Sequence, residues 1–196
     1  MTAASISLLD QAELIQLALN SSKNSDSGAA LSYLKEAVSR TDATATAHFL
    51  LGAEYAQIQM YDRAVSEMES AVALDPSLFI ARFQLGLLLL SSGDAKRALD
   101  ILEPLNELGG ANPLRHFGLG LIHLMRDEFS DALRCLTLGI ELNLENQPLN
   151  NDMQKIIAEI NKLPANSVKN AEAVSSLDES STQHIFISAY TGNDSN

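Results

Sequence analysis

One pattern of small and bulky residues returns along this chain at a fixed interval of 34 residues. Leu51-Gly52, Leu85-Gly86 and Leu119-Gly120 stand in phase, and each pair is followed, twelve residues after the glycine, by an alanine: Ala64, Ala98 and Ala132. One period earlier, Leu17, Ala18 and Ala30 occupy the same places. Self-similarity at this period constrains the fold more than any local signal, because each unit is a supersecondary element that buries its apolar face only by stacking on neighbours.

Composition fits helices. The 196 residues are 46% hydrophobic but only 5% aromatic, with no Trp, which suits alanine- and leucine-packed helices better than a β-sandwich. A net charge of −12 argues against nucleic acid or anionic lipid as a partner, and supplies solubility. The single Cys135 cannot form an internal disulfide, and residues 1–19 lack a basic stretch followed by an unbroken apolar core. The longest apolar run, Leu87 to Leu90, is too short to insert in a bilayer. The expectation is a cytoplasmic chain with no membrane insertion.

The unit from Ala45 to Leu78 carries Leu51, Gly52, Tyr55, Tyr61, Ala64, Met68, Ala71 and Pro76, with His48 where a bulky aromatic is usual. This pattern resembles the tetratricopeptide repeat family, whose unit is a helix–turn–helix. The unit 79–112 keeps Leu85, Gly86, Gly93, Ala98 and Leu102, but has Leu105 where a small residue is expected and Pro104 inside its second helix, which predicts a kink. The unit 113–146 keeps Leu119, Gly120, Phe129, Ala132, Leu136 and Gly139, with His123 in place of Tyr. The unit 11–44 is the weakest, with Leu14, Leu17, Ala18, Ala30, Leu34 and Ala37, and its polar stretch Asn20 to Gly28 reads as a loop.

The resemblance implies an all-α fold: a right-handed superhelical solenoid of four units behind an N-terminal segment 1–10. After it, Met153, Ile156, Ile157, Ile160 and Leu163 recur at helical steps, so 147–164 reads as a capping helix. Residues 165–196 turn to Ser, Asn, Thr and acidic residues, the composition of a disordered tail. Within it, residues 184–190 (His184 to Tyr190) are β-branched and aromatic. They read either as a docking segment or as a sticky end without a role.

In the resembled family, positions 2, 5, 9 and 12 of each unit line a concave groove. Here they supply Ile15 and Leu19, then Phe49 and Ala53, then Ile80, Phe83, Leu87 and Leu90, then Leu114, Phe117, Leu121 and Leu124. Phenylalanine takes the same position in three successive units. Two readings stay open: a groove that accepts an apolar partner peptide or helix, or side chains buried by tight curvature. None of these residues can grip a carboxylate, so the chaperone-tail clamp known in some family members is not expected.

Chemistry finds little support. There is no Gly-rich phosphate loop, and Gly109-Gly110 falls at an inter-unit turn. His116 and His123 lie seven residues apart on one helix face, without further ligands at metal spacing, apart from Asp127. No catalytic residue, cofactor or metal is expected. The function expected is a non-catalytic interaction scaffold, an adaptor or chaperone such as those of secretion systems, holding a protein partner in the groove. The alternative is a homo-oligomeric assembly subunit whose tail docks in a neighbour's groove.

Overall fold

A computed structural model describes residues 6–163. The N-terminal residues 1–5 and the tail from Pro164, including the segment 184–190, lie outside the described residues. Among the described residues nine α-helices with given bounds follow one another: α1 (Gln11–Lys23), α2 (Ser27–Val38), α3 (Ala45–Gln57), α4 (Tyr61–Leu74), α5 (Phe79–Ser91), α6 (Ala95–Leu102), α7 (Pro113–Met125), α8 (Phe129–Leu142) and α9 (Gln147–Asn161). A 3-10 segment, Glu103–Glu107, continues α6. No strand occurs among the described residues, and no helix among them is long and apolar enough to cross a membrane.

The phase of the helices is strict. The odd-numbered helices begin at Gln11, Ala45, Phe79, Pro113 and Gln147, and α2, α4, α6 and α8 begin at Ser27, Tyr61, Ala95 and Phe129, each set stepping by 34 residues. The helix after the fourth repeat therefore starts in the register of a fifth first helix. Leu149 and Met153, at positions 3 and 7 of that register, are buried.

The turns explain the phase. At position 15 of each repeat the backbone is left-handed: Ser25 (φ 59), Gln59 (φ 62), Gly93 (φ 83) and Asp127 (φ 56). There the next amide reaches back to close the helix. Asp26 donates to the Ser21 carbonyl, Met60 to Tyr55, Asp94 to Leu89 and Glu128 to His123, all at 2.8–2.9 Å. This satisfies carbonyls that a helix end would leave unpaired. Asp26 and Asp94 also cap the following helix through their side chains. The first repeat shares this turn. Its expected loop 20–28 is instead α1 running on to Lys23 and a turn of residues 24–26, because a non-glycine residue, Ser25, adopts the left-handed geometry.

Contacts divide the chain into two compact units, Met1–Leu88 and Leu89–Asn196, the boundary falling inside α5. In the first unit Leu14, Ala37 and Ala47 form one buried cluster, and Ala18, Leu34, Leu51, Tyr55 and Ala64 another. Small residues set the helix spacing. A Cβ on Gly52 would lie 2.8 Å from Met68 Cγ and 3.1 Å from the Ala64 carbonyl oxygen, so α3 and α4 approach too closely for any side chain there.

The second unit is built with different pairings. Pro104 ends α6 and forces the 3-10 segment, the distortion its sequence predicts. Leu105 then points into the core with no exposure and packs on Gly118, where an added Cβ would lie 3.0 Å from Leu105 Cδ1. The Phe117 ring lies against Gly139, where a Cβ would come within 2.5 Å of the ring. Between α8 and α9, Asn143 and Asn150 form a buried polar clasp. Asn143 Nδ2 donates to Asn150 Oδ1 at 2.7 Å, and Asn150 Nδ2 donates to the Asn143 carbonyl at 2.8 Å. Buried amides cost free energy unless paired in this way.

Candidate interaction surface

Positions 5, 9 and 12 fall at i, i+4 and i+7, so they share one stripe of each first helix. On α1 and α3 the stripe is open. Ile15, Phe49, Ala53 and Ala56 are half-buried, and Leu19 is 36% exposed. The backs of the same helices carry Leu14, Ala18, Ala47 and Leu51 into the core. The open stripe is therefore apolar surface left over after the core is filled.

On α5 and α7 the same register gives a different result. Phe83, Leu87 and Leu90 are buried, and Phe117, Leu121 and Leu124 have no exposure at all. Ile80 and Leu114 are half-buried. For Phe49, Phe83 and Phe117 the sequence leaves two readings open, an accessible ladder in a groove or burial by curvature. Only Phe49 is accessible; Phe83 and Phe117 are core side chains. For Phe117 the cause is local: Gly139 leaves a gap on α8 that the ring fills.

The histidines are occupied by structural partners. His48 Nδ1 donates to Glu67 at 2.7 Å, replacing by a hydrogen bond the contact that a bulky aromatic would make across the repeat. His116 Nε2 donates to the Gly110 carbonyl at 2.6 Å, and His123 Nδ1 to Glu128 at 2.5 Å. His116 and His123 thus do not converge. Among the described residues, no group of three or more His, Cys, Asp or Glu side chains is placed to hold a metal ion. Cys135 is buried beside Leu136, and that burial pushes its thiol pKa above the ordinary value, the opposite of what a reactive cysteine needs.

A contact that the residue spacing did not suggest surrounds Tyr55. Lys35 from α2 lies 5.9 Å and Arg63 from α4 5.6 Å from its ring centre. These cations stack on a buried ring and tie three helices together. The signal was available, since Tyr at position 11 is the member of the pattern that reaches toward both second helices.

Comparison with known proteins agrees with this architecture. The model of the tetratricopeptide repeat family matches residues 45–78. A comparison with curated proteins finds no match. Among solved structures, MamA (residues 41 to the end) from Desulfovibrio magneticus RS-1 superposes with a TM-score of 0.61 at 20% identity, covering 95% of this chain and 99% of that one. YrrB, described as a TPR protein with an unusual peptide-binding site, superposes with a TM-score of 0.59 at 18% identity, covering 94% of this chain and 88% of its own. Residues 45–78 thus match the tetratricopeptide repeat, and the helical fold around them is similar to that of MamA and of YrrB, itself described as a TPR protein.

Proposed function

We propose that the chain is a non-catalytic interaction scaffold, an adaptor or chaperone of the cytoplasm, that holds an apolar peptide or helix of a partner protein on the stripe Ile15, Leu19, Phe49 and Ala53. The observation that carries this reading is the part-exposure of these four side chains, in register on α1 and α3, beside a core that is already full. Contiguous apolar surface of this kind is the usual mark of an interaction site. Ile80, half-buried on α5, extends the apolar character of the first unit. The chain's net charge of −12 favours protein over nucleic acid as the partner. A peptide-binding site in YrrB, a protein of the same fold, is in keeping with it.

The test is capture of partners from native-host lysate by wild type, by Leu19→Glu/Phe49→Glu and by Leu144→Glu. Leu144 is 86% exposed and lies outside the stripe, so its variant is the control. The expected result is a partner retained by wild type and the control and lost, at least about tenfold, from the stripe variant, as for a central anchor residue. Circular dichroism must show all three folded. Equal retention by the stripe variant would overturn the reading. The narrower chaperone role is tested by co-expression with an aggregation-prone secretion cargo, whose soluble yield should rise.

A further inference from the structure

Position 30 of the repeat is leucine in three units, Leu74, Leu108 and Leu142, and arginine in the first, Arg40. Arg40 lies just past the end of α2, and its guanidinium reaches the segment that precedes α1. Nη1 donates to the Leu9 carbonyl, and Nη2 donates to the carbonyls of Ile6 and Ser7 at 3.3 and 3.2 Å. Glu36 fixes the same guanidinium, accepting from Nε at 3.1 Å and from Nη2 at 3.0 Å. Only arginine presents donors in a planar fork of this kind. Ile6 and Leu9 pack on the buried cluster Leu14, Ala37 and Ala47, against which Ile15 also packs. Leu8, between them, is 86% exposed. The start of α1 is secured without Arg40: Asp10 and Glu13 close a capping box, and Gln11 Nε2 donates to the Ala37 carbonyl at 2.8 Å.

We infer that residues 6–9 are a strap, latched by Arg40, that opens and closes over the first unit as a body separate from α1. The hinge is Asp10, extended at φ −81 and ψ 174, where the capping box holds α1 in place when the strap leaves. The carbonyls of Ile6, Ser7 and Leu9 have water as an alternative partner, and the Arg40 side chain is 20% exposed, so the latch exchanges with solvent without disturbing the core. Segments with few buried contacts and solvent-accessible hydrogen bonds are those that open locally, below the free energy of global unfolding. Closed, the strap covers Leu14, Ala37 and Ala47 with Ile6 and Leu9. Open, it uncovers that cluster as an apolar surface continuous with Ile15, the first residue of the α1 and α3 stripe. The strap thereby sets how far the stripe extends. That consequence rests on the binding role proposed for the stripe; the latch itself does not.

The test uses the full chain and Arg40→Leu, which restores the residue of the other three units. Two readouts follow the strap. Hydrogen exchange compares the amide of Leu9, bonded to the Ile6 carbonyl, with those of Leu14 in α1 and Ala64 in α4. A nitroxide on Leu8→Cys reports strap mobility, and Cys135, being buried, stays unlabelled. The expected result is that Arg40→Leu loses protection at Leu9 at least about tenfold, the scale of lost hydrogen bonds from a charged donor. The label gains mobility, and Leu14 and Ala64 keep their protection. Arg40→Lys, which keeps the charge but not the fork, should fall between wild type and Arg40→Leu. Unchanged exchange and mobility in Arg40→Leu would overturn the latch. Loss of protection at Leu14 and Ala64 together with Leu9, which a variant that fails to fold would also show, would overturn the strap as a separate body. Neither readout depends on whether the stripe of α1 and α3 binds a partner.

Discussion

Position 27 of the repeat shows how the two units solve one packing problem differently. In the first unit it is Ala37 and Ala71, both fully buried, and the neighbouring helices close over a small side chain. In the second it is Leu105 and Gly139, one residue too large for the pattern and one too small. Each departure has a partner that restores the volume: Gly118 gives Leu105 its space, and the Phe117 ring occupies the space beside Gly139. Interiors are packed to crystal-like density, so volume is conserved across a contact rather than at a position. The repeat pattern therefore describes the first unit residue by residue, and the second only pair by pair.

Restoring the usual alanine in the second unit should break it. The largest effect is expected from Leu105→Ala, which opens a cavity beside Gly118 and costs about 3 kcal/mol. Adding Gly118→Ala to that variant should recover part of the loss, whereas Gly118→Ala alone meets the Leu105 side chain. A double-mutant cycle by urea denaturation measures this coupling, and additive effects would dissolve the pairing. Next comes Gly139→Ala, which forces a methyl into the Phe117 ring and should cost about 2 kcal/mol despite the better helix propensity of alanine. Phe117→Leu in the same chain should relieve the clash. At the equivalent place in the first unit the sign of the lesson reverses: Ala71→Gly should cost about 1 kcal/mol through helix propensity and lost contact.

The helical phase was legible in the sequence because it rests on residues that cannot be exchanged without collision, such as Gly52, Ala64 and Gly120. The same arithmetic, carried one step further, would have shown that the helix at Gln147 opens a fifth register; its Pro148 and its polar start masked this. The candidate surface was legible only by direction. Register says that Phe49, Phe83 and Phe117 share a stripe, but exposure depends on what lies opposite, which a repeat pattern does not encode. Gly139 was the one available signal, since a glycine where alanine is usual leaves a gap that a large neighbour will fill.

The smallest effects concern the turns, where the units can be compared without disturbing a core. All four repeats place position 15 in the left-handed region, but only the third supplies glycine, at Gly93. A residue with a Cβ pays roughly 1 kcal/mol for this geometry, and Asp pays less because its short polar side chain is tolerated there. Gln59→Gly should therefore stabilise the first unit by about that amount, reduced by the larger backbone entropy that glycine loses on folding. Asp127→Gly should gain less in the second, and Gly93→Ala should lose about 1 kcal/mol. Urea midpoints of the three variants check the order. If Gln59→Gly gains nothing, then the 2.8 Å bond from Met60 to the Tyr55 carbonyl, rather than the conformational freedom of position 15, sets the stability of the turn.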